Sequence, residues 1–339
     1  MKYFNCTEAP IKVYGLAYNG EGGRFWKMHE SVVDKVSAEI CNLGRRNTGG
    51  RIRFATNSKK YSVRVKLQTL HNDYNFSIVG GAGCDVYTGS RDNIHFVGRI
   101  FPTDYSKDCM DNTAEFKKSD KIETITINLP RNESVCECEI GIEDDAELFA
   151  PEPYTYEKPT VFYGSSITEG CTAERPGCSY VSMLSRWLDT NYINLGFSGA
   201  GKGEPIMADY IAGLDPNVLV CDYDHNAPDV AHLERTHEPF YKRIREKLPE
   251  LPILFMTKPD AVIGDVVDME RRNIIYTTYQ NAVKAGDKNV YFLDGSTFYG
   301  AWHREDCTMD NCHPNSIGFW LIAQSVYPLL KSILEKTVK

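Results

Sequence analysis

The chain has 339 residues, 42% of them hydrophobic and 25% charged, with a formal net charge of −8. That length and balance suit two soluble domains with large cores and exclude a disordered chain, a collagen or a disulfide-stapled miniprotein. The acidic charge without a basic block gives no support to a nucleic-acid surface, and no apolar run is expected to approach the ~18 residues of a membrane span. The opening Met1-Lys2-Tyr3-Phe4-Asn5-Cys6 lacks an apolar stretch of secretory-signal length, so the expected compartment is the cytoplasm, with the eleven cysteines reduced.

Residues 1–150 read as short alternating runs. In Tyr61-Ser62-Val63-Arg64-Val65-Lys66-Leu67 the odd positions are apolar, and the pattern returns at Ile125, Ile127 and Leu129 and at Cys136, Cys138, Ile140 and Ile142. A period of two marks half-buried strands, with turns expected at Asn19-Gly20 and Gly80-Gly81. The set predicts an all-β sandwich, jelly-roll-like, closing the N-terminal domain at about residue 150. The proline-marked stretch 151–159 reads as a linker.

From residue 160 to 339 the rhythm changes to strand–helix alternation. Apolar runs at Thr160–Tyr163, Tyr192–Phe197, Val218–Asp222, Ile253–Met256 and Val290–Leu293 alternate with helical patterns, including 180–188, 206–214, 230–248, 268–285 and 316–336. Five such strands predict an α/β domain with a doubly wound, mostly parallel five-stranded sheet. Ligands of such sheets bind beyond the carboxyl ends of the strands, so the loop after each strand is where chemistry is expected.

Those loops carry Gly164-Ser165-Ser166, then Gly196-Phe197-Ser198-Gly199, then Asp224-His225-Asn226, and finally Asp310-Asn311-Cys312-His313 ahead of the last helix. A serine hydroxyl attacks an ester only when a base takes its proton. His313 is the candidate base, with Asp310 fixing its tautomer. The N–H groups of Ser166 and Gly199 and the amide of Asn226 are candidate donors to the oxyanion. Tyr299 and Trp302, in the loop entering the Asp310 segment, are candidate substrate-stacking aromatics.

Taken in order, the four segments resemble the blocks of the SGNH hydrolases, also called GDSL-type esterases, over about residues 158–339. The resemblance implies Ser166 as nucleophile, Ser166, Gly199 and Asn226 as oxyanion donors and Asp310 and His313 as the Asp-x-x-His pair. The family's Gly-Asp-Ser stands here as Gly164-Ser165-Ser166, and its Gly-x-Asn-Asp as Asp224-His225-Asn226-Ala227. Gly83-Cys84-Asp85-Val86-Tyr87 is similar to the Gly-x-Asp-Leu-Tyr signature of β-sandwich domains preceding some bacterial members. Related two-domain members include carbohydrate esterases, which implies a small-molecule or oligosaccharide acetyl ester as substrate, with no metal or organic cofactor and neither nucleic acid nor membrane as partner.

Other patterns compete. Four of the eight histidines follow an aspartate by three residues, so Asp92/His95, Asp222/His225 and Asp229/His232 share the spacing of Asp310/His313 without its setting. Gly196 to Lys202 fits a phosphate-binding loop until Gly203 stands where a hydroxyl should hold Mg²⁺, leaving nucleotide binding as a lesser alternative. His225, His232 and His237 lack the spacing of a zinc helix and read as polar surface. Cys171, Cys178, Cys307 and Cys312 flank the expected site and read as free, packed thiols. A non-catalytic glycan-binding protein on the same fold remains the other alternative.

Overall fold

A computed structural model describes residues 1–71, 76–104, 106–260, 262 and 264–337. The first half supplies β1 (Lys2–Asn5), β2 (Lys12–Tyr14), β3 (Arg51–Thr56), β4 (Lys60–Leu67), β5 (Cys84–Ser90), β6 (Asn93–Ile100), β7 (Met110–Lys117), β8 (Glu123–Asn128), β9 (Val135–Ile142) and β10 (Leu148–Phe149). They form two antiparallel sheets, β1-β9-β4-β7 and β10-β3-β8-β5-β6, with β2 added beside β3. Alternation along each strand decides what faces inward. Tyr61, Val63 and Val65 of β4 are buried in one cluster with Phe54, Ile125 and Ile127 of the opposite sheet, which makes the predicted sandwich.

Three short helices interrupt it, α1 (Glu30–Val33), α2 (Ala38–Gly44) and α3 (Ile78–Ala82). The diglycine at 80–81, expected as a turn, lies inside α3. Ser77 Oγ caps that helix by accepting the Gly80 N–H at 3.3 Å. Gly80 is there for space, because a Cβ at that position would strike the Ala173 carbonyl of the second half.

The second half contributes β11 (Tyr156–Gly164), β12 (Thr190–Gly196), β13 (Val218–Asp222), β14 (Ile253–Met256) and β15 (Val290–Leu293). All pair in parallel, in the order β12-β11-β13-β14-β15. Its helices are α4 (Ser166–Glu169), α5 (Tyr180–Leu188), α6 (Pro205–Ala212), α7 (Val230–Lys247), α8 (Val266–Lys284) and α9 (Ser316–Thr337). Val161, Leu195 and Leu219 pack with α6, α7 and α8 on one face, while Phe162, Val220 and Leu254 pack with α5 and α9 on the other. The sheet is therefore doubly wound, and its order reverses at β11, which places a crevice beyond the ends of β11, β12 and β13.

Two expectations shift. The stretch 151–159 is a connection only in its first part, because β11 begins at Tyr156, paired with Thr190. Pro159 is tolerated inside the strand by a register shift between Tyr156 and Thr160, and its carbonyl still accepts the Asn217 N–H at 3.0 Å. Helix α9 contains an 18-residue window of mean hydropathy 1.4, long and apolar enough to cross a membrane, although Lys331 and several polar groups interrupt it. Phe319, Ile322, Val326 and Leu330 spend that apolarity on the core against the sheet.

The halves are joined by a buried cation. Arg51 of β3 donates to Tyr154 Oη at 3.1 Å, Asn191 Oδ1 at 2.7 Å and the Tyr192 carbonyl at 3.0 Å, and its guanidinium lies 3.7 Å over the Tyr192 ring.

Candidate active site

Strand β11 ends at Gly164, and the chain turns at once into α4. Ser165 is the helix cap: its Oγ accepts the Ile167 N–H at 3.1 Å and the residue is only 5% exposed. Ser166, the first helical residue, points the other way, with Oγ 2.9 Å from His313 Nε2. The turn needs glycine at 164 because a Cβ there would fall inside the Asp222 carboxyl group. Asp222, at the end of β13, is bonded by Thr168 Oγ1 and by Tyr180 Oη at 3.1 Å, and burial pushes its carboxyl up to about 7.

Asp222 gives folding a testable pH dependence. The native state binds this proton more tightly than the unfolded chain does, so the stabilisation is complete below the unfolded carboxylate pKa of about 4 and is lost as pH rises through about 7. Asp222→Asn should flatten the decline of stability across that window, as read by urea unfolding at several pH values.

His313 sits in a tight loop closed by a Thr308–Pro314 bridge and by the Met309 N–H donating to the His313 carbonyl at 2.9 Å. Within it Asp310 Oδ1 accepts the backbone N–H of His313 at 2.7 Å and of Cys312 at 3.1 Å, and Oδ2 lies 2.7 Å from His313 Nδ1. Partial burial pushes the Asp310 carboxyl up, but these bonds and the His313 ring outweigh it and hold the group below its ordinary value. A carboxylate at Nδ1 keeps the proton on that nitrogen and leaves Nε2 as acceptor toward Ser166. Asn315 Oδ1 accepts the N–H groups of Ile317 and Gly318 at 3.0 and 3.1 Å, fixing the start of α9 just beyond the loop.

Beyond β12 the Phe197 carbonyl is a hub. It accepts from Asn226 Nδ2 at 2.8 Å, from the Ala200 N–H at 3.0 Å and from the Gly201 N–H at 3.3 Å, while the Phe197 N–H reaches the Gly164 carbonyl at 3.0 Å. The loop is thereby tied to the Ser166 turn. Gly199 follows with φ +66° and open space where a side chain would stand, a conformation that favours glycine. Asn226 keeps a second N–H beyond the one given to Phe197. Among the described residues, neither the Gly199 nor the Ser166 N–H has an acceptor within the chain. Ser166, His313 and Asp310 are thus joined directly, and Gly199 and Asn226 through one loop. The set can transfer an acyl group to serine and hold negative charge beside it.

Comparison with known proteins bears on the same segments. Residues 157–331 match the GDSL-like Lipase/Acylhydrolase family. The chain belongs to that family. Residues 1–148 match the GxDLY domain, the N-terminus of SGNH-hydrolase-type esterases. Among solved structures, a protein from Bacteroides ovatus described as a GDSL-like lipase is 25% identical, with a TM-score of 0.87 over 98% of each chain. A salicylyl-acyltransferase from a tetracycline biosynthetic pathway is 18% identical, with a TM-score of 0.80 over 98% of this chain and 97% of that one. An acetyl xylan esterase from the rumen bacterium Butyrivibrio proteoclasticus is 12% identical, with a TM-score of 0.57 over 99% of this chain and 100% of that one. Among curated proteins none matches.

In this GDSL-like ester hydrolase the GxDLY motif reaches the second half. Asp85 Oδ1 accepts from Asn128 Nδ2 at 2.7 Å, and Oδ2 accepts from Arg175 at 2.8 Å and the Gly177 N–H at 2.9 Å. Arg175 also donates to Tyr87 Oη, so Asp85 and Tyr87 together grip the loop after α4.

Several sequence candidates fall elsewhere. Tyr299 is 4% exposed and packed in the α5/α9 core, so its ring cannot stack on a ligand; the apolar residues around it, Phe298 and Cys307, claimed it for packing. Trp302 is 82% exposed. His225 pairs with Asp268 at 3.1 Å, His232 with the Lys202 carbonyl at 3.0 Å and His237 with Thr278 at 3.0 Å. Burial pushes His237 down to about 3, and among the described residues no cluster of metal-ligating side chains forms. The four cysteines near the site are free thiols, and burial pushes Cys171 up to about 12. The loop from Gly196 to Gly203 is no phosphate cradle, because the Glu169 carboxylate already accepts the Ser198 N–H at 2.8 Å.

Sequence reading missed two groups. Lys258 gives its backbone N–H to Asp224 Oδ2 at 2.9 Å and its ammonium to Asp268 at 3.1 Å, beside Asn226. Burial pushes Asp268 up, but His225 and Lys258 outweigh it and hold the carboxyl down to about 2. The second group is Glu169 with Lys27 and Arg131, whose only sequence trace is a glutamate three residues after Ser166.

Proposed function

We propose that the chain is a serine esterase that removes small acyl groups, acetyl foremost, from carbohydrate esters. The observation carrying this is the unbroken run from Ser166 Oγ to His313 Nε2 at 2.9 Å and from His313 Nδ1 to Asp310 Oδ2 at 2.7 Å. In this reading His313 takes the Ser166 proton as Oγ attacks the ester carbonyl. The N–H groups of Ser166, Gly199 and Asn226 receive the oxyanion, each donor lowering the barrier by about 3 kcal/mol. His313 then protonates the departing alcohol, and water, deprotonated by the same imidazole, releases the acid from the acyl-enzyme.

Substrate class rests on likeness. The acetyl xylan esterase and a family two carbohydrate esterase from Clostridium thermocellum solved with cellohexaose support a sugar ester. The exposed ring of Trp302 suits stacking on a pyranose face.

A fluorophosphonate should label Ser166 covalently, and the enzyme should cleave p-nitrophenyl acetate and acetylated sugars faster than long-chain esters. A protein that takes no label and turns over no ester would instead be a glycan-binding relative. Mg²⁺-dependent ATP binding lost on changing Lys202 would point to the nucleotide alternative.

A further inference from the structure

We propose that the N-terminal β-sandwich positions the oxyanion-forming segment of the second half through a buried chain of three charges, Lys27, Glu169 and Arg131. Lys27, in the loop before α1, is 1% exposed. Its ammonium donates to the Gly196 carbonyl at 2.6 Å and lies 4.4 Å over the Phe197 ring. Arg131, in the turn between β8 and β9, donates to Glu169 Oε1 at 2.7 Å, both side chains being buried. Glu169 Oε2 accepts the Ser198 N–H at 2.8 Å. Three successive residues of the loop are thus held at carbonyl, ring and N–H, and the next residue is Gly199.

Glu169 also closes α4, the four-residue helix that Ser166 opens. One carboxylate therefore couples the nucleophile's helix to the loop that presents the Gly199 N–H and, through the Phe197 carbonyl, orients the Asn226 amide. Both cations that compensate this carboxylate come from the β-sandwich. Removing three charges from water is costly, and an apolar cluster of equal volume would pack there at lower cost. What the charges add is direction, since hydrogen bonds to a carbonyl and an N–H fix a peptide plane where apolar packing leaves it free to turn. Burial raises the Glu169 carboxyl, but Arg131, Lys27 and the Ser198 N–H outweigh it and hold the group below its ordinary value, so it stays ionised between its partners.

The assignment rests on the Ser166 esterase reading and makes Lys27, Glu169 and Arg131 positioning residues. Its test uses Lys27→Met and the isosteric Glu169→Gln, assayed on p-nitrophenyl acetate at a temperature where circular dichroism shows each variant folded. Each should lose about tenfold or more in kcat while KM stays within about twofold, the mark of an interaction felt in the transition state. Affinity for a small alkylboronic acid, which forms a tetrahedral adduct on the serine, should fall by the same factor. Should Lys27→Met not fold, Glu169→Gln carries the test. A kcat within about twofold of wild type, or a loss carried by KM with boronate affinity unchanged, overturns the proposal. Failure of the wild-type enzyme to cleave any ester or take a fluorophosphonate at Ser166 would instead overturn the esterase reading beneath it.

Discussion

Ser166→Ala is expected to reduce p-nitrophenyl acetate cleavage by roughly 10⁴-fold or more, to the residual rate that binding and oxyanion donors alone support. The fold should survive, because the Ser166 hydroxyl bonds to the His313 ring while the cap of α4 is supplied by Ser165. The neighbouring substitution separates the two serines. Ser165→Ala removes a helix cap worth about 1 kcal/mol and should lower thermal stability while leaving Ser166 in place. Steady-state kinetics with unfolding curves on both variants would distinguish the roles, and an unimpaired Ser166→Ala enzyme would end the serine mechanism.

The second large effect is at Asp310. In Asp310→Asn the side chain can still accept the N–H groups of His313 and Cys312 through Oδ1, so the loop should keep its shape. Its new NH₂ group, however, would face His313 Nδ1 as a donor. The imidazole must then carry its proton on Nε2, where it opposes the serine hydroxyl instead of accepting from it. A loss of roughly 10³–10⁴-fold in kcat follows from the wrong tautomer. The lower end of that range is expected, since the Asp310 side chain is half exposed and water can partly replace it. Comparing kcat with KM across pH checks this, because a tautomer defect falls on kcat and spares substrate binding.

The parts of the molecule visible in the sequence are those in which local pattern and tertiary role coincide. The strand at Val218–Asp222 is legible because its first four residues, Val218 to Cys221, are uniformly apolar, and a central parallel strand covered on both faces demands that. The Asp310/His313 pair is legible because both partners and the N–H groups that hold them lie within one short loop. Glu169 shows the opposite case. Its spacing from Ser166 imitates a capping residue, but its carboxylate serves Ser198 and Arg131, 29 and 38 residues away along the chain. Nothing local records such a bond. Gly80-Gly81 misled for a related reason: a diglycine ordinarily marks a turn, and only the press of Ala173 against α3 reveals why the side chain is missing. Tyr299 is hidden likewise, since an aromatic in a loop looks the same whether it faces ligand or core.

The seam where Arg51 lies over Tyr192 bears on how such proteins recombine. A guanidinium sunk between two modules, answered by a carbonyl and an amide from across the join, cannot be left without those answers when one module is exchanged. Grafting this catalytic half onto a foreign leading module would strand polar groups on both cut faces. In this chain the two halves are accordingly expected to be exchangeable only as a pair, whereas changes confined to the rim loops leave the seam intact.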